Sequence, residues 1–198
     1  PDIKWICLRG NTEVCLLDGR KIPIKEIVDN RNDYIGKYVY SCSNKGEIVP
    51  RKIKDARITK KNASFVRVHL DNGEHFDVTP DHRCMLRDGS FLEAEKLSVG
   101  QSLMPLYTKK VDEVGSPCYE KVYNPRTNGW RNTHRLVASS VLKDEQIAAH
   151  QKYIVENNER YLVVHHKNFN MYDNDPSNLV WMGDISHHDY HTECRWAG

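Results

Sequence analysis

"YLVVHHKNFNMYDNDPSNLVWMGDISHHDYH", Tyr161 to His191, holds five of the chain's ten histidines: His165, His166, His187, His188 and His191. They sit at its two ends with asparagines between. "YLVVHH" and "NLVWM" read as strands joined by a long turn, and a helix follows from about Asp184. Neighbouring strand residues point to opposite faces or diverge at the strand end, so His165 and His166 separate. His187 and His191 are spaced i, i+4 and share one helix face. A strand–turn–strand–helix unit can fold that face back on the first strand, so that three imidazoles converge and a fourth lies beside them. Imidazole is the commonest side-chain ligand of transition metals, and its pKa suits general-base work near neutral pH.

Composition limits what surrounds this stretch. The chain has 198 residues, enough for one large or two small domains, and 39% are hydrophobic, enough for a packed core. No apolar run approaches the roughly 20 residues of a membrane span, and residues 1–20 carry charges throughout, unlike a secretory signal. Cys7, Cys15, Cys42, Cys84, Cys118 and Cys194 form no CxxC pair and are sparse for a disulfide scaffold. A reduced, cytosolic interior is the expected location. The net charge of +2 does not announce a nucleic-acid binder; up to Leu106 there are 18 basic and 15 acidic residues, and after it 11 and 12. One dense basic run, "RKIKDARITKK" (Arg51–Lys61), reads either as a solvated strand face or as a phosphate-contacting surface through Lys52, Lys54, Lys60 and Lys61.

Up to about Met104 short alternating runs are broken by turn dipeptides. Asp18-Gly19, Asn72-Gly73 and Asp88-Gly89 each mark a hairpin, and "PIKEIVDN" a short helix. From Tyr107 the character changes: "VDEVGSPC" and "YNPRTNG" read as loops, "THRLVASSVL" and "KDEQIAAHQKYIVENN" as helices. The expected class is α+β: an all-β amino-terminal domain followed by an α/β domain.

The order His-His, Asn-Leu, His-x-x-x-His, with gaps of twelve, nine and four residues from His166 through Asn178 and His187 to His191, resembles the HNH nucleases and their ββα-metal core. The wording "HHKNFNMYDNDPSNLVWM", and Thr133–Leu142 upstream, is similar to the phage homing-endonuclease branch. The resemblance covers roughly Tyr119 to Cys194. It implies His166 as general base, Asn178 as the residue that holds the His166 ring or orients its backbone, and His165, His187 and His191 as ligands of one divalent metal at the scissile phosphate of double-stranded DNA. Cuts would leave 5′-phosphate and 3′-hydroxyl ends. Many homing members have Asp or Asn where this chain has His165 and His187. Three imidazoles favour Zn²⁺ or another transition ion, while Mg²⁺ or Mn²⁺ could act with oxygens from phosphate and water. A structural zinc knuckle of His187, His191 and Cys194 is the competing reading, but it leaves His166 and Asn178 idle. His188 reads as exposed or DNA-facing, Asn174 as a turn residue, and Arg135 as either a phosphate contact or a solvated side chain.

"CLRGNTEVCLLDGRKIPIKEIVD" and "VTPDHRCMLRDGSFLEAEKLSVGQSLMPL" resemble the first and second sequence blocks of inteins, the protein-splicing form of the Hint fold. The likeness spans about Cys7 to Leu106. It implies that the Cys7 thiolate attacks the Ile6 carbonyl, that Thr79 and His82 activate the Ile6–Cys7 amide, and that residues 1–6 are a host remnant, 7–106 the splicing domain and 107–198 the nuclease. No Asn follows Asn178, although splicing ends on a cyclising Asn. Either a separate carboxy-terminal intein fragment completes the module, or the sequence stops short of that block, or the Hint domain serves only the nuclease. Three functions follow: an intein-borne homing endonuclease, a fragment active only in splicing, and a non-cutting DNA-binding module.

Overall fold

The computed structural model describes residues 7–111, 118–142, 156 and 159–196. The chain is built from antiparallel hairpins. Strands β1 (Glu13–Cys15) and β2 (Lys21–Pro23), β3 (Tyr38–Cys42) and β4 (Ile48–Lys52), β5 (Val66–His69) and β6 (His75–Val78), and β7 (Arg83–Met85) and β8 (Phe91–Glu93) pair in succession. Three of these hairpins turn at the Xaa-Gly dipeptides that mark them in the sequence, each glycine with φ between +84° and +87°. Helix α1 (Ile24–Asp29) follows β2 directly, with a second short turn of helix, α2 (Arg31–Tyr34), behind it. Strands β9 (Thr108–Val111), β10 (Tyr119–Asn124) and β11 (Gly129–Asn132) form a three-stranded sheet in the order β11-β10-β9. Helix α3 (Thr133–Val141) continues from β11; β12 (Leu162–His166) pairs with β13 (Leu179–Gly183), and α4 (Asp184–Trp196) ends the described chain. The class is α+β, and among the described residues no helix is long and apolar enough to cross a membrane.

Two local expectations are corrected. "YNPRTNG" is not a loop throughout. Tyr123 and Asn124 end β10, Gly129 begins β11, and only Pro125–Asn128 make the turn. The Pro and the Asn-Gly pair mask an alternation in which Val122 is the one fully buried apolar residue of β10. The basic run Arg51–Lys61 is a strand only at Arg51 and Lys52. Beyond Ile53 its charges pair locally, Asp55 with Arg31 at 2.8 Å and with Arg57 at 3.7 Å, and it follows no ladder. The helix expected over Lys143–Asn157, the remnant at residues 1–6 and most of "VDEVGSPC" lie outside the described residues.

Among the described residues, buried apolar side chains gather in four clusters. Leu16, Ile22, Ile27 and Tyr34 seal the first hairpin and its helix, and Val78, Cys84 and Ala94 the β6–β8 region. The other two straddle Leu106. Ile48 packs on Val122 and Leu136, and Leu17 on Val137, Ala138, Val164 and Leu179. The turn after Leu17 is driven hard against the later half. The Leu17 carbonyl accepts a hydrogen bond from the Asn174 amide at 2.7 Å. Gly19, at φ +87°, sits so close that a Cβ would stand 2.9 Å from the Tyr172 carbonyl oxygen. Gly36 has a similar φ of +90° with open space around it. Gly36→Ala should therefore cost only the backbone penalty of about 1 kcal/mol. Gly19→Ala should cost about 1–2 kcal/mol more, because backbone must move. Thermal melts of the two variants check this; equal losses would mean the Gly19 contact is slack.

Candidate catalytic and metal-binding sites

Cys7 enters beside β6. Leu8 bridges to Val78, and the Thr79 amide donates to the Cys7 carbonyl at 3.1 Å. In return the Cys7 amide donates to Thr79 Oγ1 at 3.4 Å, so Thr79, itself buried, grips both polar groups of the residue. The turn after Thr79 is closed by the His82 amide donating to the Thr79 carbonyl at 2.9 Å. That places the His82 ring next to the Cys7 backbone. Burial lowers the His82 pKa, and the contact with the Cys7 backbone and the nearby Asp81 carboxylate oppose it. The ring is thus neutral at pH 7 yet poised to take a proton when charge develops beside it. Below them Asp77 is clamped by Arg9 at 2.7 Å and Arg67 at 2.8 Å, which holds its carboxyl far below the ordinary range.

The thiol is buried at the edge of a cavity of about 440 Å³ lined by Gly10, Lys25, Ala56, Thr59, Lys60 and Phe65 among others. Cys7 Sγ and Thr59 Oγ1 are 2.8 Å apart. Lys60, read from sequence as a DNA contact, thus stands on the wall of the Cys7 cavity. Lys52, Lys54 and Lys61 are exposed, and Lys52 leans over the Tyr38 ring at 5.4 Å. The Ile6 carbonyl lies outside the described residues.

The second site is built by β12, β13 and α4. Helix α4 starts on Asp184, which accepts from the Arg160 amide at 2.9 Å and pairs with its guanidinium. Glu159 caps the first turn, accepting from the Ile185 and Ser186 amides at 2.7 and 2.9 Å. These caps fix where the helix begins and hence the direction of His187 and His191. His187 Nε2 and His191 Nε2 are 3.1 Å apart, and the His165 ring centroid lies 5.2 and 5.0 Å from theirs. One nitrogen from each of the three can be chosen so that all lie within 4.8 Å of one another. His165 is 4% exposed and its Nε2 has no hydrogen-bond partner. Phe169, held at φ +59°, walls the cluster with its ring 5.4 Å from His165 and stacked on Tyr190. A non-glycine residue in that backbone region is strained and is held there by its surroundings.

The donor set fits a divalent transition ion. Burial first, then the His187 and His191 rings, push the His165 pKa down to about 4, and burial lowers His187 as well. The His165 and His187 rings are therefore neutral at pH 7 with lone pairs available, as metal ligation requires. The orphaned His165 nitrogen is the kind of buried atom that an ion would satisfy. Cys194 is exposed and is not one of the grouped donors, so the trio forms without the thiol of the zinc-knuckle reading. His188 is exposed on the far face.

His166 turns to the other side of β12. Its Nε2 is 3.1 Å from Asn174 Oδ1. Asn174 Nδ2 donates to the Tyr172 carbonyl at 3.3 Å, which directs Oδ1 at the imidazole. Nε2 then carries the proton and Nδ1 the lone pair. Asn174 is 1% exposed, so its expected role as a turn residue is too small: it is the side chain that holds the His166 ring. Asn178 does not touch the ring. It accepts from the Asn168 amide at 3.0 Å and donates to Asn168 Oδ1 and the Asp173 carbonyl, tying together the loop that carries Asn174. His134 escaped the sequence reading. It is buried at the start of α3, with its ring 5.2 Å from His166 and 4.5 Å from Tyr119. Its position beside Arg135 in "THRLVASSVL" was the available signal. Arg135 itself is exposed.

His134 gives an acid-sensitivity prediction. Burial, then the His166 and Arg135 charges, lower its pKa to about 3. The unfolded chain, with its ordinary histidine near 6.5, binds more protons over the range between, so stability rises with pH there and is lost as pH falls. His165, at about 4, acts in the same direction. Metal-free protein should lose about 1.4 kcal/mol per pH unit per histidine below pH ~6.5. Urea melts at pH 7, 6 and 5 on wild type and His134→Gln measure it; parallel losses in both would remove His134 from the account.

No protein-family model matches the chain. Over 185 residues, 91% of this chain, it is 38% identical to the B subunit of DNA gyrase from Synechocystis sp.. It spans 16% of that protein's length. Among solved structures, it is similar to a mutant of an Ssp DnaB mini-intein variant, at 14% identity and a TM-score of 0.44, covering 60% of this chain and 78% of that one. The same mini-intein variant without that mutation gives 15% identity and a TM-score of 0.40, covering 59% and 73%. A superposition this loose carries no chemistry from one chain to the other.

Proposed function

We propose that the chain is the amino-terminal part of an intein-type splicing module and that Cys7 begins the reaction. The observation that supports this is the Thr79 grip on both backbone groups of Cys7, with the His82 ring beside the Cys7 backbone. In this reading the Cys7 thiolate attacks the Ile6 carbonyl carbon. The thiol proton passes to His82 as the C–S bond forms; the Ile6–Cys7 C–N bond then breaks, and the departing nitrogen takes that proton back from His82. The products are a thioester at Ile6 and a free amine on Cys7. Thr79 Oγ1 holds the amide nitrogen during the step. Completing the splice needs a cyclising Asn, on this polypeptide or on a partner fragment. A working thiol fits the six cysteines, which form no disulfides, and a reducing cytoplasm. The test is to extend the chain upstream of residue 1 with a reporter and add dithiothreitol or hydroxylamine.

A second reading, for the same chain, is an HNH-type endonuclease acting on double-stranded DNA. The grouped imidazoles of His165, His187 and His191, with His166 held by Asn174 behind them, favour it. An ion bound by the three, Mg²⁺ or Mn²⁺ in the acting enzyme and Zn²⁺ by ligand preference, supplies charge stabilisation at the scissile phosphate. His166 takes the proton of the attacking water through Nδ1, Asn174 fixes the ring, and Asn178 fixes the loop that bears Asn174. Exposed Arg135 and the lysines at 52, 54, 60 and 61 contact phosphates.

A further inference from the structure

The two faces of the β9–β11 sheet differ. On the inner face Val122 is buried under Ile48 and Leu136, and Glu120 hydrogen-bonds the Tyr40 hydroxyl. Side chains alternate along a strand, so Tyr119, Lys121 and Tyr123 share the outer face. Register places Lys121 opposite Lys109, and Tyr123 opposite Trp130. Trp130 is 43% exposed, and Lys109 Nζ is held 4.3 Å from the centre of its ring. The Arg87 guanidinium lies over Tyr123 at 5.8 Å and donates to the Pro125 carbonyl at 3.1 Å. Lys109 and Lys121 thus stand over one aromatic floor that Arg87 braces at its edge, and the acidic residue of β10 points the other way.

The floor leads to a site. Tyr119 stands two residues, about 7 Å, along β10 from Lys121. Its ring is stacked on His166, 6.2 Å between centroids. The aromatic rings are tilted against one another, Tyr123 on Trp130 at 62° with centroids 5.7 Å apart and Tyr107 on Tyr123 at 52° with centroids 6.0 Å apart. Rings locked together in that way hold cations in place and are poorly set to receive bases. The ligand they fit is a regular row of phosphates.

We propose that this outer sheet face is the track along which the backbone of duplex DNA lies as it enters the His166 site. The assignment rests on the nuclease reading. It names a surface distinct from the Arg51–Lys61 run, and one that is continuous with the general base. Lys109, Lys121 and Trp130 carry it, and Arg87 of the amino-terminal half braces its edge through the Pro125 carbonyl.

The test is fluorescence anisotropy of a labelled duplex with the full chain in EDTA, at several salt concentrations. Lys109→Ala/Lys121→Ala should bind about tenfold more weakly, and the slope of log affinity against log salt should fall by about 1.8, the value for two lost phosphate contacts. Lys109→Arg/Lys121→Arg keeps the charges and should bind as wild type, which separates charge from folding. Unchanged affinity and slope in the alanine variant overturn the track. So does loss of single-strand binding alone with duplex binding intact, which would make the floor a base-stacking surface. If wild type binds no duplex, the nuclease reading falls with the track. If wild type binds duplex and cuts it while the alanine variant binds equally well, only the track falls.

Discussion

Alanine at His166 should slow metal-dependent DNA cutting by a factor of roughly 10²–10⁴, the usual worth of a positioned general base. The ring is buried, with Nε2 turned to Asn174 Oδ1, so its Nδ1 lone pair is the one basic atom the site fixes in direction. Removing it leaves His165, His187 and His191 untouched, because they lie on the opposite side of β12. Metal uptake by His166→Ala, read by calorimetry or by the rise in melting temperature, should match wild type. Asn174→Ala should cost less, about 10- to 100-fold, as for other residues that orient a working imidazole. His165→Ala should lose both metal uptake and cutting. Duplex carrying an uninterrupted version of the host gene, with Mg²⁺, Mn²⁺ or Zn²⁺, is the substrate. Cutting that survives His166→Ala would sink the general-base role, and cutting in EDTA would sink the metal.

Cys7→Ala should abolish thiol-induced release of an upstream reporter, since it removes the sulfur that would form the thioester at Ile6. His82→Ala should slow release by a factor of about 10² or more, because the leaving nitrogen then finds no positioned acid. The two defects differ in pH dependence. His82 is a histidine whose pKa is lowered by burial, so the wild-type rate should fall as pH drops below that depressed value, where the ring is already charged and cannot accept the thiol proton. The alanine variant should lose that acid-side fall. Mass spectrometry of the released fragment locates the break. A break elsewhere than Ile6–Cys7, or release unaffected by Cys7→Ala, would dismiss the acyl shift.

Much of this arrangement is legible in the residues. Xaa-Gly pairs flanked by apolar alternation name their hairpins because turn chemistry is local. The i, i+4 spacing of His187 and His191 fixes their common face for the same reason. What escaped was decided at a distance. Asn174 looks like one of several turn-forming asparagines until the Leu17 carbonyl takes its amide and its side chain is driven against His166. His134 has only its place beside Arg135 to mark it; its burial depends on Tyr119 and His166 arriving from other strands. The β9–β11 sheet was hidden because Pro125 and Asn128-Gly129 advertise a loop more loudly than a single inward Val122 advertises a strand. Where Arg51–Lys61 runs depends on the absence of a ladder partner, which no spacing records.

The two readings proposed above would put two activities on one chain, and such activities are inherited separately only if either can be lost without unfolding the other. The turn at Leu17–Gly19 bears on that. Deleting everything after Leu106 would open Leu17 and Ile48 to water, at about 1.5–3 kcal/mol for each side chain, and would leave the tight turn with nothing to press against. A lineage that discards the later half must first acquire polar residues at those two positions. Until it does, selection for either activity preserves the scaffold of both.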